Sequence, residues 1–214
     1  MGDNVVITIG RQFGSGGREL GRKVASLLGI PYFDKEILSR AAEQGGVSEE
    51  YLRDNDERAP IMYGAPLPMA MGMSGLWYQP GSTAGAASAY SLQSDAIRRI
   101  AADGPCVIVG RTADYILRDN PNLLRVFVHG EADDCLDRIM RRGEVDNRGK
   151  ARQMIEKVNK LRSEFYNFFT DKRWGDAASY DITFNSSRLP IATIAGIIAD
   201  MVEAARPDRK ISSQ

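Results

Sequence analysis

The stretch "ITIGRQFGSGGRELG", Ile7 to Gly21, places Gly14, Gly16 and Gly17 between a β-branched apolar run and a helical pattern. A strand, a glycine turn and a helix start in that order aim backbone N–H groups and the positive end of a helix dipole at one point. Such a point attracts anions. Glycine allows the left-handed angles and the close approach that the turn requires. The full phosphate-loop pattern is G-x-x-x-x-G-K-[ST]. With Gly16 on its last glycine, Gly17 stands at the lysine, Arg18 at the Ser/Thr and Arg11 at the first glycine. The turn thus keeps the backbone chemistry and lacks the ammonium group. Arg18, or Arg11 just ahead of the loop, is expected to supply the missing cation. Ser15 and the three glycines make the rest of the cradle. Glu19, one residue beyond the usual hydroxyl, is the candidate contact for Mg²⁺ or its waters. A ligand-free glycine turn is the plainer alternative. A dinucleotide fingerprint does not fit, because Gly14 and Gly16 lead to Glu19 where a third glycine belongs.

The rest of the chain alternates short apolar runs with helical patterns. Val5–Ile9 reads as the first strand, and "GRELGRKVASLLG" as a helix stopped by Gly29 and Pro31. "YFD" is a strand stub, followed by a helix that ends at Gly45–Gly46. A second short helix has Ser48 as its cap. "PCVIVG", "LLRVFVHG" and "YDITFNS" read as further strands, the first two central. "EADDCLDRIMRRG", the long stretch from Asn147 to Gly175 and "LPIATIAGIIADMVEAA" read as helices, and a short helix starts straight after "PCVIVG". The long one carries an apolar stripe at Met154, Val158, Leu161, Phe165 and Phe168–Phe169. The alternation predicts an α/β fold with a parallel sheet covered on both faces.

Length and composition narrow the function. The 214 residues, 43% hydrophobic, suit one well-filled core with a small lid. Lys+Arg and Asp+Glu are both 28, so overall charge points to no nucleic-acid partner. Arg138 to Arg173 holds eleven Arg and Lys against five Asp and Glu, which suits a lid closing over phosphates or a solvated surface. Residues 59 to 94 carry no charge and hold four of the eight methionines. Their early part reads as a loop, a mobile cover or a homodimer contact, and a helix is expected from Ala84. Cys106 and Cys135 read as buried thiols, and His129, the only histidine, ends a strand. No basic-then-apolar leader and no eighteen-residue apolar span is present, so no membrane partner and a cytoplasmic location are expected.

"ITIGRQFGSGGRELG", "LGIPYFDKEIL", "PCVIVGRTADYIL" and "RWGDAASYDITFNSSRL" together resemble the cytidylate kinase-like family, phosphate-loop relatives of the nucleoside monophosphate kinases. The resemblance implies a three-layer parallel-sheet fold of that kinase type, one domain over 1–214. It implies a substrate-binding insert at 35–94 and a helical lid at 141–173. Members of this branch have "GSGGRE" in place of the lysine-bearing loop. Asp34 matches an aspartate near the acceptor nucleotide, Arg111 an arginine that orients the acceptor phosphate, and Arg162 a lid arginine. Asn159 stands where the related pattern often has aspartate. Asn185, Ser186 and Ser187 match the turn beside the donor adenine.

Phosphoryl transfer needs alignment, Mg²⁺ and cations around the migrating group, and arginine's planar fork pairs well with phosphate oxygens. Arg111 leads, because it follows an apolar strand at the edge where such sheets bind ligands. As a plain alternative it is a surface arginine at a helix start. Asp114 fixes Arg111, meets the acceptor or is a helix-start acid. Asp34 contacts the acceptor, caps the helix starting at Lys35, or both. Arg138 and Arg142, four apart, share a helix face with phosphate reach, and Arg162 lies on the far arm of the lid. Trp174 and Gly175 read as packing residues. Three functions stay open: ATP-dependent phosphorylation of CMP or dCMP, a kinase of the same fold with another small acceptor, and a non-catalytic nucleotide-binding partner protein.

Overall fold

The computed structural model describes residues 4–54, 56 and 83–205. Five strands form one sheet: β1 (Val6–Arg11), β2 (Tyr32–Phe33), β3 (Cys106–Val109), β4 (Leu123–His129) and β5 (Ile182–Asn185). Their spatial order is β2-β3-β1-β4-β5, and every pairing is parallel. The runs expected to be central, β3 and β4, flank β1 on either side.

Helices cover both faces, as parallel strands require. On one face lie α1 (Gly17–Leu28) and, from the chain's end, Ile191–Ala204. They bury Leu20, Val24, Ile194 and Ile198 against Ile7, Ile9, Val126 and Val128. On the other face lie α2 (Glu36–Gly45), α3 (Glu49–Asp54), α4 (Thr83–Asp103) and the single turn α5 (Ala113–Ile116). Ile37, Leu52, Ala89 and Ile97 pack there against Val6 and Ile108. The alternation of Ile7 and Ile9 with Val6 and Thr8 follows from the two-residue period of a strand. A third, small cluster joins α6 (Ala132–Arg141) to α7 (Arg148–Phe169) through Leu136, Ile139 and Ala151, with Phe13 packed against it. The closing helix Ile191–Ala204 is α8.

Several ends differ from expectation for physical reasons. β1 runs two residues past Ile9, pairing Gly10 with Phe127 and Arg11 with Val128. The first strand is expected to end at Ile9; Gly10 continues it, and its lack of a side chain serves packing. A Cβ there would lie 2.8 Å from the Phe127 ring. The helix expected straight after β3 is delayed by a turn at Gly110, Arg111 and Thr112. On α7, Arg162 and Tyr166 are buried with Phe165, whereas Phe168 is 42% exposed, so the stripe is rotated from the one expected. Ser48 does cap α3, its hydroxyl accepting from Tyr51 N–H at 3.1 Å. Helix α4 begins at Thr83, one residue before Ala84. The rest of the uncharged stretch, and with it the expected homodimer contact, lies outside the described residues.

Cys106 and Cys135 are buried free thiols, and burial pushes Cys106 up to about 12. Trp174 stands edge-on to Phe127 at 5.4 Å, the packing role expected of it, and His129 is the last residue of β4. Among the described residues no helix is long and apolar enough to cross a membrane. Ile198 is fully buried between α8 and the sheet, remote from the loop. Ile198→Ala is expected to lower unfolding stability by about 2–5 kcal/mol. A urea midpoint that falls with an unchanged slope is the check, and a loss below about 1 kcal/mol would contradict the packing described.

Candidate functional site

The glycine loop hangs between the end of β1 and the start of α1. Gly14 and Gly16 take left-handed angles, φ 82° and 86°. Neither accommodates a side chain: a Cβ on Gly14 would lie 2.7 Å from the Cys135 carbonyl oxygen, and one on Gly16 2.8 Å from Ile191. The first backbone bond into the helix is Leu20 N–H to Gly16 O, 2.9 Å, and the Gly16 cap has no side-chain bond. The amides of the first turn are therefore left for an external acceptor, as at any helix start. Ser15 is fully buried and gives its hydroxyl to Gln12 O at 2.9 Å, which locks the loop and turns that hydroxyl inward.

Two other elements brace the loop. On α6, Arg138 donates to Gly14 O at 2.6 Å. On α7, Asn159 Oδ1 accepts from Phe13 N–H at 2.7 Å, and Arg162 donates to Arg11 O at 3.2 Å. The Arg162 guanidinium also lies 5.7 Å from the centre of the Phe13 ring. The long helix thus rests directly on the loop. Asn159, a departure from the related pattern, makes that contact with a neutral amide.

Two adjoining cavities flank this seam. The loop cleft, about 320 Å³ with its mouth, is bounded by the glycine loop, Arg11, Arg18, Arg142, Glu144 and Arg162. The second, about 310 Å³ counted with its open mouth, lies at the carboxyl ends of β1 and β3 beneath α7. Arg11, Arg111, Arg162 and Asp114 face it, with Tyr166, Trp174 and Tyr180 closing its sides. All three of these arginines are buried, at 6%, 3% and 8% exposure.

Arg111 is thus no surface residue. It and Thr112 hold φ of 54° and 51°, a left-handed pair of non-glycine residues that persists only where the surroundings impose it. Its guanidinium donates to Asp34 O at 2.6 Å and to Asp56 Oδ2 at 2.8 Å. Asp34 Oδ2 lies 2.7 Å from Arg18 Nε, so Arg18 reaches toward the Asp34–Arg111 cluster as well as edging the loop cleft. Asp34 does not cap α2: the cap position is Lys35, and the Asp34 N–H donates to Glu36. The Tyr32 hydroxyl beside this cluster is pushed up to about 12, first by burial and then by the Asp34 charge.

Asp114 is buried and accepts from the Tyr166 hydroxyl at 2.8 Å. Burial raises its pKa above the ordinary carboxylate range, the Tyr166 bond opposing in part. Tyr166 and Tyr180 are in turn raised, chiefly by burial and by the Asp114 charge. The carboxyl, the two phenols and the three guanidiniums share one pocket.

Other expected residues are placed differently. Glu19 is exposed and borders neither cavity. Arg142 edges the loop cleft and lies 3.7 Å from Glu144. Asn185 donates to Glu131 at 3.0 Å and Ser186 to His129 O at 3.0 Å, which ties their turn to the end of β4. The loop contact of Asn159 and the roles of Asp56 and Tyr166 were not read from the sequence. Tyr166 had a signal, since it stands four residues from Arg162 and shares its helix face. Asp56 had none, its partner being 55 residues away. Among the described residues no cluster of three or more His, Cys, Asp or Glu is built to hold a metal, and Glu144 is the carboxylate bordering the loop cleft.

The profile of the cytidylate kinase-like family matches residues 6–188. No curated protein is significantly similar in sequence. Among solved structures, an uncharacterized protein from Eubacterium ventriosum is 27% identical, with TM-score 0.69, covering 94% of this chain and 99% of its own. A shikimate kinase from Acinetobacter baumannii in complex with shikimate is 13% identical, with TM-score 0.51, covering 94% and 93%. A sugar kinase from Janibacter sp. is 14% identical, with TM-score 0.51, covering 94% and 96%. The two kinases share the fold alone.

The raised pKa of Asp114 has a pH signature. A carboxyl that holds its proton more tightly in the fold contributes stability that is full below the ordinary carboxylate pKa. That contribution is lost as pH rises through the raised value. Asp114→Asn, which can still accept from Tyr166, is expected to flatten this downward slope in melting temperature against pH. A variant as pH-dependent as the parent would remove Asp114 as its source.

Proposed function

The chain belongs to the cytidylate kinase-like family, and from that premise we propose that it transfers the γ-phosphoryl group of Mg²⁺·ATP to a small anionic acceptor. The γ-phosphorus bond to the bridging oxygen breaks, a bond to an acceptor oxygen forms, and ADP leaves. One observation carries the reading: Arg11, Arg111 and Arg162 line, buried, a cavity that shares Arg11 and Arg162 with the cleft at the first turn of α1. Three guanidiniums against the single Asp114 carboxyl make the charge facing the cavity chiefly positive. A cavity of that sign takes a phosphate or a carboxylate. Asp34 and Asp56 hold the Arg111 fork in place from behind.

The loop fits a triphosphate. Its cradle is bare of side chains at Gly14, Gly16 and Gly17, and the first-turn amides and helix dipole supply the grip. The phosphates would occupy the cleft beside Arg18, Arg142 and Arg162. Mg²⁺ would sit on phosphate oxygens, with Glu144 rather than Glu19 placed to reach its waters. The ion would neutralise charge on the migrating group. The arginines between the cavities would align donor and acceptor and stabilise the charge that spreads over the phosphoryl oxygens.

CMP and dCMP carry the phosphate such a cavity takes, and so do other nucleotides; a hydroxylated carboxylic acid offers the same anionic handle. An acceptor class defined by its anion therefore suits the site better than one defined by its base. The test is ADP release with Mg²⁺ and ATP across CMP, dCMP, UMP, AMP, shikimate, gluconate and neutral sugars. Turnover is expected only with anionic acceptors. Turnover confined to a neutral sugar, or ATP bound tightly with none, would contradict the reading.

Arg111→Lys keeps the charge and loses the fork. Its kcat/KM is expected to fall about a hundredfold, roughly 2.7 kcal/mol of transition-state stabilisation. Its melting temperature should move only slightly. Activity within a few-fold of the parent would take Arg111 out of the acceptor site.

A further inference from the structure

Gly17 stands where a phosphate loop carries lysine, yet its backbone is not left-handed, so conformation alone does not demand glycine. Space does. A Cβ on Gly17 would lie 2.5 Å from Arg11 Cβ and 2.9 Å from Arg11 Cγ. These atoms are the root of a side chain anchored in β1 by the pairing of Arg11 with Val128, and cannot swing aside. The stem of Arg11 thus crosses the helix start at the very residue the lysine would occupy. Arg11 is buried and lines both cavities, a position it shares with Arg162.

We propose that Arg11 is the phosphate-binding cation of this loop, delivered from the end of β1 in place of the lysine, and that Gly17 is glycine because the Arg11 stem fills its side-chain space. The inference rests on the functional reading above and adds which residue meets the terminal phosphates of ATP. A guanidinium on the wall between donor cleft and acceptor cavity lies where the migrating phosphoryl group passes. Arg18 edges the loop cleft but is drawn toward Asp34, 2.7 Å from its Nε. A planar fork at Arg11 can hold two phosphate oxygens at once, which a point ammonium cannot.

The two halves of the proposal predict a reciprocal experiment on the full chain. Affinities for Mg²⁺·ATP and for adenosine are measured by calorimetry on the parent, Arg11→Lys, Arg11→Gly, Gly17→Lys and the double variant Arg11→Gly/Gly17→Lys. Arg11→Gly is expected to weaken ATP binding by about tenfold or more while leaving adenosine, which carries no phosphate, within about twofold. Arg11→Lys should retain most of the affinity. Gly17→Lys should bind ATP more weakly than the parent, since its side chain meets the Arg11 stem. With that stem removed, the double variant should bind ATP more tightly than Arg11→Gly alone. ATP affinity in Arg11→Gly equal to the parent's, or equal losses for ATP and adenosine, would overturn the proposal. So would a folded double variant no better than Arg11→Gly. Should the double variant not fold, the Arg11→Gly and Arg11→Lys pair decides by itself. A parent that binds no nucleotide would bring down the functional reading and this proposal with it. A parent that binds ATP with Arg11 dispensable would bring down this proposal alone.

Discussion

The bare first turn of α1 is the constraint around which this molecule is arranged. A helix start leaves its leading amides without intrahelical partners, and burying them against protein would satisfy them. Here they are kept open. Gly14 is pressed against the Cys135 backbone and Gly16 against Ile191, so the loop cannot collapse onto its own helix. The Ser15 hydroxyl is turned inward to Gln12, and Arg138 and Asn159 fasten the loop from two further helices. A loop held this firmly would pay little reorganisation on receiving an anion, which is the condition under which fixed dipoles act most strongly.

Charge is distributed in step with that geometry. The guanidiniums of Arg11, Arg111 and Arg162 are buried, and burial of a cation is unfavourable unless something compensates. Arg111 is compensated by Asp34 and Asp56, and Arg162 reaches the Arg11 carbonyl. Arg162 and Asn159 also make α7 part of the site rather than a remote cover. Both contacts tie the long helix to Phe13 and Arg11 at the mouth of the loop. Asn159 makes its contact through the amide oxygen, which accepts from the Phe13 N–H.

Much of this was legible in the residues. Periodicity and punctuation gave the strands and most helices. Gly29 and Gly46 end α1 and α2 in left-handed caps, and Ser48 opens α3. The loop, Arg111 and Asp34 were recognisable because chemistry at a strand's carboxyl end has a sequence signature. What escaped was long-range. The extension of β1 through Gly10 depends on the Phe127 ring, which is remote in the chain. The pairing of Asp56 with Arg111 and of Asn159 with Phe13 is likewise set by the fold and by no local pattern. The absent lysine was visible, but its steric cause was not, since it depends on how far β1 extends and where the Arg11 stem then lies.

In the proposed function, amides at the start of α1 hold a polyphosphate without a lysine. Backbone ¹H–¹⁵N spectra recorded through a titration with ATP and Mg²⁺ test this most directly. Saturable shifts concentrated on Gly14, Gly16, Gly17, Arg18 and Glu19 are the result predicted. Saturation with those five resonances unmoved, or no response to any nucleoside triphosphate, would contradict it.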